Sequence, residues 1–589
     1  MTIKKEYAVK LILFFLPILF IWQGFDFSDM GFMLTNSLFF DQPGVIQDQG
    51  LAYFLTNAIG WLWLKLSSPF GLIGARFGWC VTIWSILWCS NSILRNIMPE
   101  IRSLLFLIIT FLFSLWGTWI SYNDLSALFT LITIFFIIKA QRQSCNKTNF
   151  IYFFIGGVFI GANVFIRLPN LIMLGFAFIP VTAYIFSEKK LPPSQIYLSS
   201  VCLLFGAVAA IAIILFCMKV SGYLPYYLTC LSEMKALAQN EASHHSLINL
   251  LTQFKTDHMY MYSITLNFLS KTLVLSFILS LTFRGKVRYI ILLLLLYFFI
   301  KIYITTISFR DGIYILAGIS YLFILLRIYY ASLKHDVFNL YISLSALGLF
   351  MCVPIGSNNG LYNIVTSSWI IVPLAFDFLF LLITPSIKES CHLTPTFKFL
   401  SNNKVLSMSF YIRYLIILSF AYISINHAWT YTYRDSQNRL SMRYEINSSR
   451  PLNHVYTTYQ RASVTHELLK ELGQYIDKYD YLLTYDVAAT LNYITGIKPY
   501  LYSAWPYLFE PHLFDNKLKK AENNHSLPIV VKTKATLLNP DWPITTYVDN
   551  EPRYVINRNT LNTFLKRHSY NLIWENSIFQ IWLPSSKTT

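Results

Sequence analysis

Long apolar runs separated by short polar stretches dominate the chain from Leu11 to Ile425. The runs are Leu11–Trp22, Leu72–Leu94, Ile101–Trp119, Leu125–Ile138, Phe150–Ile166, Leu171–Phe186, Ile196–Met218, Met261–Phe283, Tyr289–Ile307, Gly312–Tyr329, Val337–Val353, Ile364–Ile383 and Val405–Ile425. Each is close to the length a helix needs to cross a bilayer, so about thirteen spans are predicted. Beyond Asn426 the pattern changes to a polar tail rich in Tyr and Asn, about 160 residues long and sufficient for a folded domain. Val464–Tyr475 has helical periodicity. Tyr481–Tyr485, Pro528–Lys532 and Tyr554–Ile556 read as buried strands, and Leu572–Trp574 with Ile578–Trp582 as a closing hairpin. The predicted fold class is mainly α: a polytopic membrane helix bundle (1–426, with a first outer loop at 23–71) followed by a C-terminal extracytoplasmic α/β domain (427–589).

Charge fixes the predicted orientation. Lys4, Lys5 and Lys10, Arg95 and Arg102, Lys139 and Arg142, Lys189 and Lys190, Arg284 to Arg288, Arg327 and Lys334, and Lys388 to Lys404 fall in alternate loops. The opposite set opens with Gln23–Gly50, which carries four Asp and no Lys or Arg. This positive-inside alternation holds for thirteen spans and breaks for twelve or fourteen. It places the start in the cytoplasm and the tail outside. Leu11–Trp22 reads as a retained helix, because Gln23-Gly24-Phe25-Asp26 offers no small-x-small cleavage site. A bacterial inner membrane is the expected home, and an endoplasmic reticulum membrane has the equivalent topology.

Composition agrees with lipid as the main solvent. Of 589 residues, 55% are hydrophobic and only 13% charged, against about 25% charged in soluble domains. The net charge of +17 follows from the loop cations and forms no basic domain, so no nucleic-acid partner is expected. The eight cysteines form no C-x-x-C pair and read as small apolar residues. Gly74-x-x-x-Gly78 and Gly157-x-x-x-Gly161 are helix-packing signals. No phosphate-binding G-x-x-x-x-G-K-[ST] loop occurs.

The first outer loop carries the most informative chemistry. Asp26 and Asp29 are three apart and would share a helix face. A carboxylate at the membrane boundary can take a proton from a hydroxyl or hold a cation; a solvated acidic loop is the plainer reading. His244, His245 and His258 match no metal-ligand spacing and read as solvated loop residues. The amide-rich turn Gly356-Ser357-Asn358-Asn359-Gly360 suits a sugar or headgroup, or is simply a tight turn.

One succession of features goes further. A first helix is followed by Asp29-Met30-Gly31-Phe32, a surface helix over Gly50–Leu66, the turn Phe70-Gly71, and a helix opening with Ala75-Arg76. This order resembles the GT-C glycosyltransferases, in particular the branch with the protein O-mannosyltransferases and the lipid A aminoarabinose transferase. Thirteen spans with a terminal outer domain fit that branch. The resemblance implies an enzyme that takes a polyprenyl-phosphate sugar as donor and a lipid, glycan or protein as acceptor. The family's first-loop acid falls on Asp29, where the family often has Asp-Glu and this chain has Asp-Met; Asp26 is the second catalytic candidate. Asn123-Asp124 matches the acid after the third helix, and Arg167 closes the fifth helix as a family Arg does. Thr484-Tyr485-Asp486, before a helical Val487–Tyr493, resembles the family's terminal domain, on the acceptor side or structural, with Asp486 read as a helix cap.

A departing lipid phosphate needs cations, and the topology brings Arg167, Lys301 and Arg310 to the outer face, with Lys301 inside a span where a charge is costly. Arg310 has Asp311 as an alternative partner, and Lys219 reads as snorkelling. Asp29 would act as base on an acceptor hydroxyl, with Asp124, Asn358 and Asn359 binding substrate and the anomeric centre inverting. No cofactor is certain, and a divalent cation is compatible. The competing classes are a lipid-linked saccharide flippase, disfavoured by the missing internal repeat, and a non-catalytic envelope-assembly scaffold.

Overall fold

A computed structural model describes residues 2–142, 146–187, 193–239, 246–281, 294, 297–301, 303–355, 359–381, 403–436 and 438–585. The apolar runs fold as helices that bundle around a core including Leu131, Ile134, Ile137, Leu340, Ile370 and Phe376, all fully buried. Small residues let these helices approach closely. A Cβ added at Gly157 would stand 2.1 Å from the Leu203 carbonyl oxygen, and one at Gly161 would stand 2.2 Å from that of Ala207. The helices Asn146–Ile166 and Pro193–Val220 therefore meet backbone to backbone. Deep in the bundle, Asp377 takes Arg102 at 2.5 Å and Arg327 at 3.4 Å, so this carboxylate does not stand alone in a greasy core.

Among the described residues, seven helices are long and apolar enough to cross a membrane. The pair Gly360–Ser367 and Ile371–Phe380, bent by 75°, would make eight. This is an integral membrane protein, and its described residues hold fewer such helices than the thirteen runs. Glu100–Phe113 has 14 residues and Val337–Cys352 has 16, about 21 and 24 Å of helix against ~30 Å of hydrocarbon. Of the run Tyr289–Ile307, residues 294, 297–301 and 303–307 lie within the described residues.

The segment expected as the first outer loop is largely helical. Asp29–Leu38 and Phe54–Ser67 flank a 3-10 turn at Asp48–Tyr53. Asp26 precedes the first of these, so Asp26 and Asp29 do not share a helix face. Arg76 is buried and donates to the carbonyls of Ile21 (2.7 Å) and Gly24 (2.5 Å), fixing where this loop leaves the bundle.

The terminal domain contains a two-stranded antiparallel pair, β1 (Tyr444–Glu445) and β2 (Tyr456–Thr457). Its main sheet has strands β3 (Tyr481–Tyr485), β4 (Lys498–Pro499), β5 (Ile529–Thr533), β6 (Tyr570–Glu575) and β7 (Phe579–Pro584), in the order β4-β3-β5-β7-β6. β3 is parallel to both neighbours, and β6 and β7 form the hairpin expected from the sequence. Tyr554–Ile556 is not a strand but lies in the helix Pro552–Arg567. Pro552 opens that helix, and Tyr554, Asn557, Leu561 and Phe564 bury one face; three apolar residues were too few to show the period.

The domain is stitched to the first outer loop. Tyr456 donates to the Trp22 carbonyl at 2.8 Å, and Gly24 to the Tyr456 carbonyl at 2.9 Å. Thr490 donates its amide to Phe27 O (3.0 Å) and its hydroxyl to Asp26 O (2.7 Å). Gly31 permits this approach: a Cβ there would lie 2.1 Å from the Thr490 nitrogen. The helix Leu224–Gln239 packs through Tyr227 and Cys230 against Leu51 and Phe54.

Candidate functional site

Where the loop helix Asp29–Leu38 meets the terminal domain, a cleft of about 280 Å³ opens, near the lower end of small-molecule sites. Asp29, Phe32, Met33, Gln49 and Tyr53 line it from the first loop, Trp116, Gly117, Trp119 and Ser121 from the segment before the helix Tyr122–Arg142, and Tyr122, Asn123 and Asp124 from that helix's first turn. Asn359, Asn363 and Thr366 add a third side, Tyr433 and Arg434 a fourth, and Trp505 with Leu508 come from the terminal domain.

Asp29 is the half-buried first residue of its helix, where the helix N-terminus favours negative charge. Its Oδ2 accepts from the Tyr433 hydroxyl and stands 3.1 Å from Arg434 Nη1. Arg434 also donates to the Ser28 hydroxyl. Its backbone is left-handed, at φ 50°, a conformation costing about 1–3 kcal/mol. Two ties hold it there. Its carbonyl accepts from Arg461 Nη1 at 2.8 Å, and the next residue, Asp435, forms a buried ion pair with Arg461 at 3.1 Å and accepts the Phe25 amide at 2.6 Å.

Asp26 sits beside this pair but serves the backbone. Its Oδ1 accepts from the Ser28 amide (2.9 Å) and hydroxyl (2.5 Å), and its Oδ2 from the Met30 amide (2.9 Å). Burial pushes its proton affinity up, against the pull of Arg434 and with the repulsion of Asp29. The carboxyl is absent from the cleft wall. Burial also pushes the Tyr433 hydroxyl well up, with Asp29 adding to the shift, so Tyr433 stays a neutral donor.

The walls are aromatic. Tyr53 and Tyr122 stack at 4.3 Å; Trp119 and Trp116 meet the Tyr433 ring edge-on and tilted, at 5.1 and 5.5 Å. The Arg434 guanidinium lies 5.6 Å from the Trp505 ring. Trp505 is buried, and its Nε1–H has no protein partner. Flat rings, amides, a carboxylate and one guanidinium suit a polyhydroxylated ring, which stacks its C–H face and exchanges hydrogen bonds at its edge.

Of the expected substrate residues, Asp124 lines the cleft and accepts from Ser121 Oγ at 2.8 Å. Asn359 lines it too, while Asn358 lies outside the described residues. The three cations do not gather there. Arg167 is buried and donates to Asn123 Oδ1 (3.1 Å) and the Val353 and Ile355 carbonyls (3.2 and 2.9 Å). Its donors tie helix ends together instead of facing a phosphate. Lys301 is exposed and does not line the cleft. Arg310 lies against the Tyr314 ring at 5.9 Å, and its neighbour Asp311 accepts from Tyr260 at 2.7 Å. Among the described residues, Arg434 is the one cation on the cleft wall. It and Tyr433 were not singled out from sequence; their only local signal is Tyr433-Arg434-Asp435 directly after the last apolar run.

A divalent cation would find Asp29 and Asp124 on this wall, but Asp29 already faces a guanidinium. Among the described residues no group of three or more His, Cys, Asp or Glu is placed to hold a metal ion. His258 bonds the Phe254 carbonyl of its own helix at 2.8 Å, and His244 and His245 lie outside the described residues. A second cavity, of about 350 Å³, lies where Ile304, Ile307 and Phe309 face Ile423, His427 and Tyr431. Tyr431 borders it and Tyr433 borders the cleft, so the two hollows are close neighbours along the chain.

No protein-family model matches the sequence, and no curated relative does. Among solved structures, the chain is similar to ArnT from Cupriavidus metallidurans bound to undecaprenyl phosphate, at 11% identity and a TM-score of 0.48, over 98% of this chain and 97% of that one. The apo state of ArnT gives 10% identity and a TM-score of 0.46, over 98% and 96%. The Archaeoglobus fulgidus oligosaccharyltransferase, in complex with Zn and sulfate, gives 12% and 0.43, over 90% of this chain and 68% of that one.

Proposed function

We propose that the protein is a membrane glycosyltransferase that moves a sugar from a polyprenyl-phosphate donor to an acceptor hydroxyl on the extracytoplasmic side. The observation that carries this reading is the Asp29–Arg434 pair inside an aromatic cleft, between the helix bundle and the terminal domain. Asp29 takes the acceptor's proton. The acceptor oxygen then bonds the anomeric carbon as the bond from that carbon to the phosphate oxygen breaks, and the electron pair leaves on the phosphate. One displacement inverts the centre. Arg434 holds the base in place and offers positive charge where the phosphate departs. The aromatic walls seat the sugar ring, with Asp124 and Asn359 at its edge. The cavity beside Tyr431, with Ile304, Ile307, Phe309 and Ile423 in its wall, supports a site for the first units of an isoprenoid tail. Arg167 serves this reading by positioning Asn123 and the loop at Ile355, not by touching phosphate.

The test is incubation of the purified protein with a radiolabelled polyprenyl-phosphate sugar and a membrane extract, following the label into a new glycosidic product. The wild type should transfer, and Asp29→Asn should fall to background at unchanged protein level. Full activity of Asp29→Asn would overturn the role of Asp29. Movement of the labelled lipid across vesicles with no new glycosidic bond would overturn transfer itself and favour transport.

A further inference from the structure

We propose that the terminal domain carries a second saccharide-binding site, at the carboxyl ends of β3 and β5, formed by Asp486, Asp549 and Arg558 and specific for a neutral polyol. The proposal is independent of the transfer reaction. It begins with topology. The chain leaves β3 for β4 on one side and later returns to β5 on the other, both parallel to β3. Such a reversal, beyond the carboxyl ends of the two strands, is where open α/β sheets bind their ligands.

Asp486 follows the last residue of β3. It is 7% exposed, its amide donates to Thr533 Oγ1 at the end of β5 (3.3 Å), and its Oδ1 has no hydrogen-bond partner. It does not cap the following helix: Thr490–Thr495 has no side-chain cap. A buried carboxyl oxygen left unpaired costs about 1–3 kcal/mol unless something outside the fold satisfies it. Arg558, Asp549 and the phenols of Tyr485 and Tyr507 lie near enough to interact with its charge. Asp549 accepts from Tyr507 OH (2.7 Å), and its carbonyl from Arg558 Nη2 (2.8 Å). Asp549 and Arg558 are both half-buried and so reach solvent.

Charge selects the ligand class. An anion would meet Asp549, and a cation would meet Arg558. Burial pushes Asp486 up to about 8, so near neutrality it is a carboxylic acid with one donor and one acceptor. A neutral hydroxyl-bearing ring can pair with the unpartnered Asp486 oxygen and opposes neither neighbouring charge. Tyr547, exposed two residues before Asp549, supplies an aromatic face at the rim. On either side of Tyr507, Pro506 and Leu508 lead back to the first cleft, which Trp505 and Leu508 line.

Hydrogen–deuterium exchange of the full-length protein in nanodiscs locates binding separately from the first cleft. The probes are the methyl glycosides of glucose, galactose, mannose and N-acetylglucosamine, with methyl glucuronide and methyl glucosaminide as charged controls. The expected result is protection of segments 533–537 and 549–558 by at least one neutral glycoside and by neither control. Asp486→Leu should weaken that binding at least about tenfold, while Asp486→Asn, which keeps one donor and one acceptor, should stay within about threefold. If the leucine variant misfolds, the asparagine variant decides alone. No protection by any neutral glycoside, protection by the charged controls, or loss of binding in folded Asp486→Asn would each overturn the proposal.

Discussion

Asp29 Oδ2 and Arg434 Nη1 stand 3.1 Å apart, one from the first outer loop and the other just past the last helix of the bundle. Neither chain segment fixes the carboxylate alone. The helix N-terminus sets its position, and the guanidinium, itself held in a left-handed backbone by Arg461, sets its direction.

Arg434→Ala should therefore damage turnover far more than stability. The pair is partly solvated, with side chains about a quarter to a third exposed, so its loss costs at most about 1 kcal/mol of folding energy. Removal of one preorganised charge from a reacting site costs about 2.7–4 kcal/mol, or 10²–10³ in kcat. Arg434→Lys, a point charge without the planar fork, should recover part of this. Steady-state kinetics with the thermal midpoint measured in parallel will separate the two effects.

The Asp435–Arg461 pair should behave in the opposite way. Both side chains are almost wholly buried. Removing one partner leaves an uncompensated buried charge, at about 3–5 kcal/mol. Asp435→Ala and Arg461→Met should each sharply reduce folded protein recovered from membranes, and the double variant should lose less than the sum. Fluorescence-detected size-exclusion chromatography reads this directly.

Gly31→Ala tests the seam between loop and domain. The added methyl would fall on the Thr490 backbone, which has no flexible end to move aside. Transfer should drop at least about tenfold through misplacement of Asp29, with bundle stability little changed. Crosslinking between the first outer loop and the 490 region should fall in step with activity.

The buried acid Asp486 makes stability depend on pH. Its proton affinity is raised from an ordinary 3.8 to about 8. The folded state then keeps a proton that the unfolded state has lost. Its contribution is fully present below about pH 4 and disappears as pH rises through about 8. Asp486→Asn removes this slope and should raise the midpoint of the terminal domain at pH 8 by about 5 °C or more. A thermal series from pH 5 to 9 in both proteins checks the sign.

The bundle and the terminal sheet were largely legible because their signals are local. Apolar runs mark helices, β3 and β5 are short buried runs, and Glu575-Asn576-Ser577 marks the hairpin turn. Asp29, Asp124 and Asn359 could be found as polar residues in outer loops. What sequence could not show is which distant groups face them. Tyr433, Arg434 and Trp505 reach the cleft through tertiary packing, with no spacing rule to join them to Asp29. Arg167 and Asp26 do not line the cleft for a related reason: backbone carbonyls and amides claim them, and that competition is invisible in a one-letter code.

The seam between Trp22–Gly24 and Tyr456 also orders the birth of the molecule in time. The acidic loop emerges from the ribosome first, yet its partner strand is made some four hundred residues later, after an interval of about 20–80 s at ordinary elongation rates. Until then the loop has no mate, and a nascent chain that stalls inside the bundle has not closed its cleft. Completion of synthesis is thus the step that assembles it.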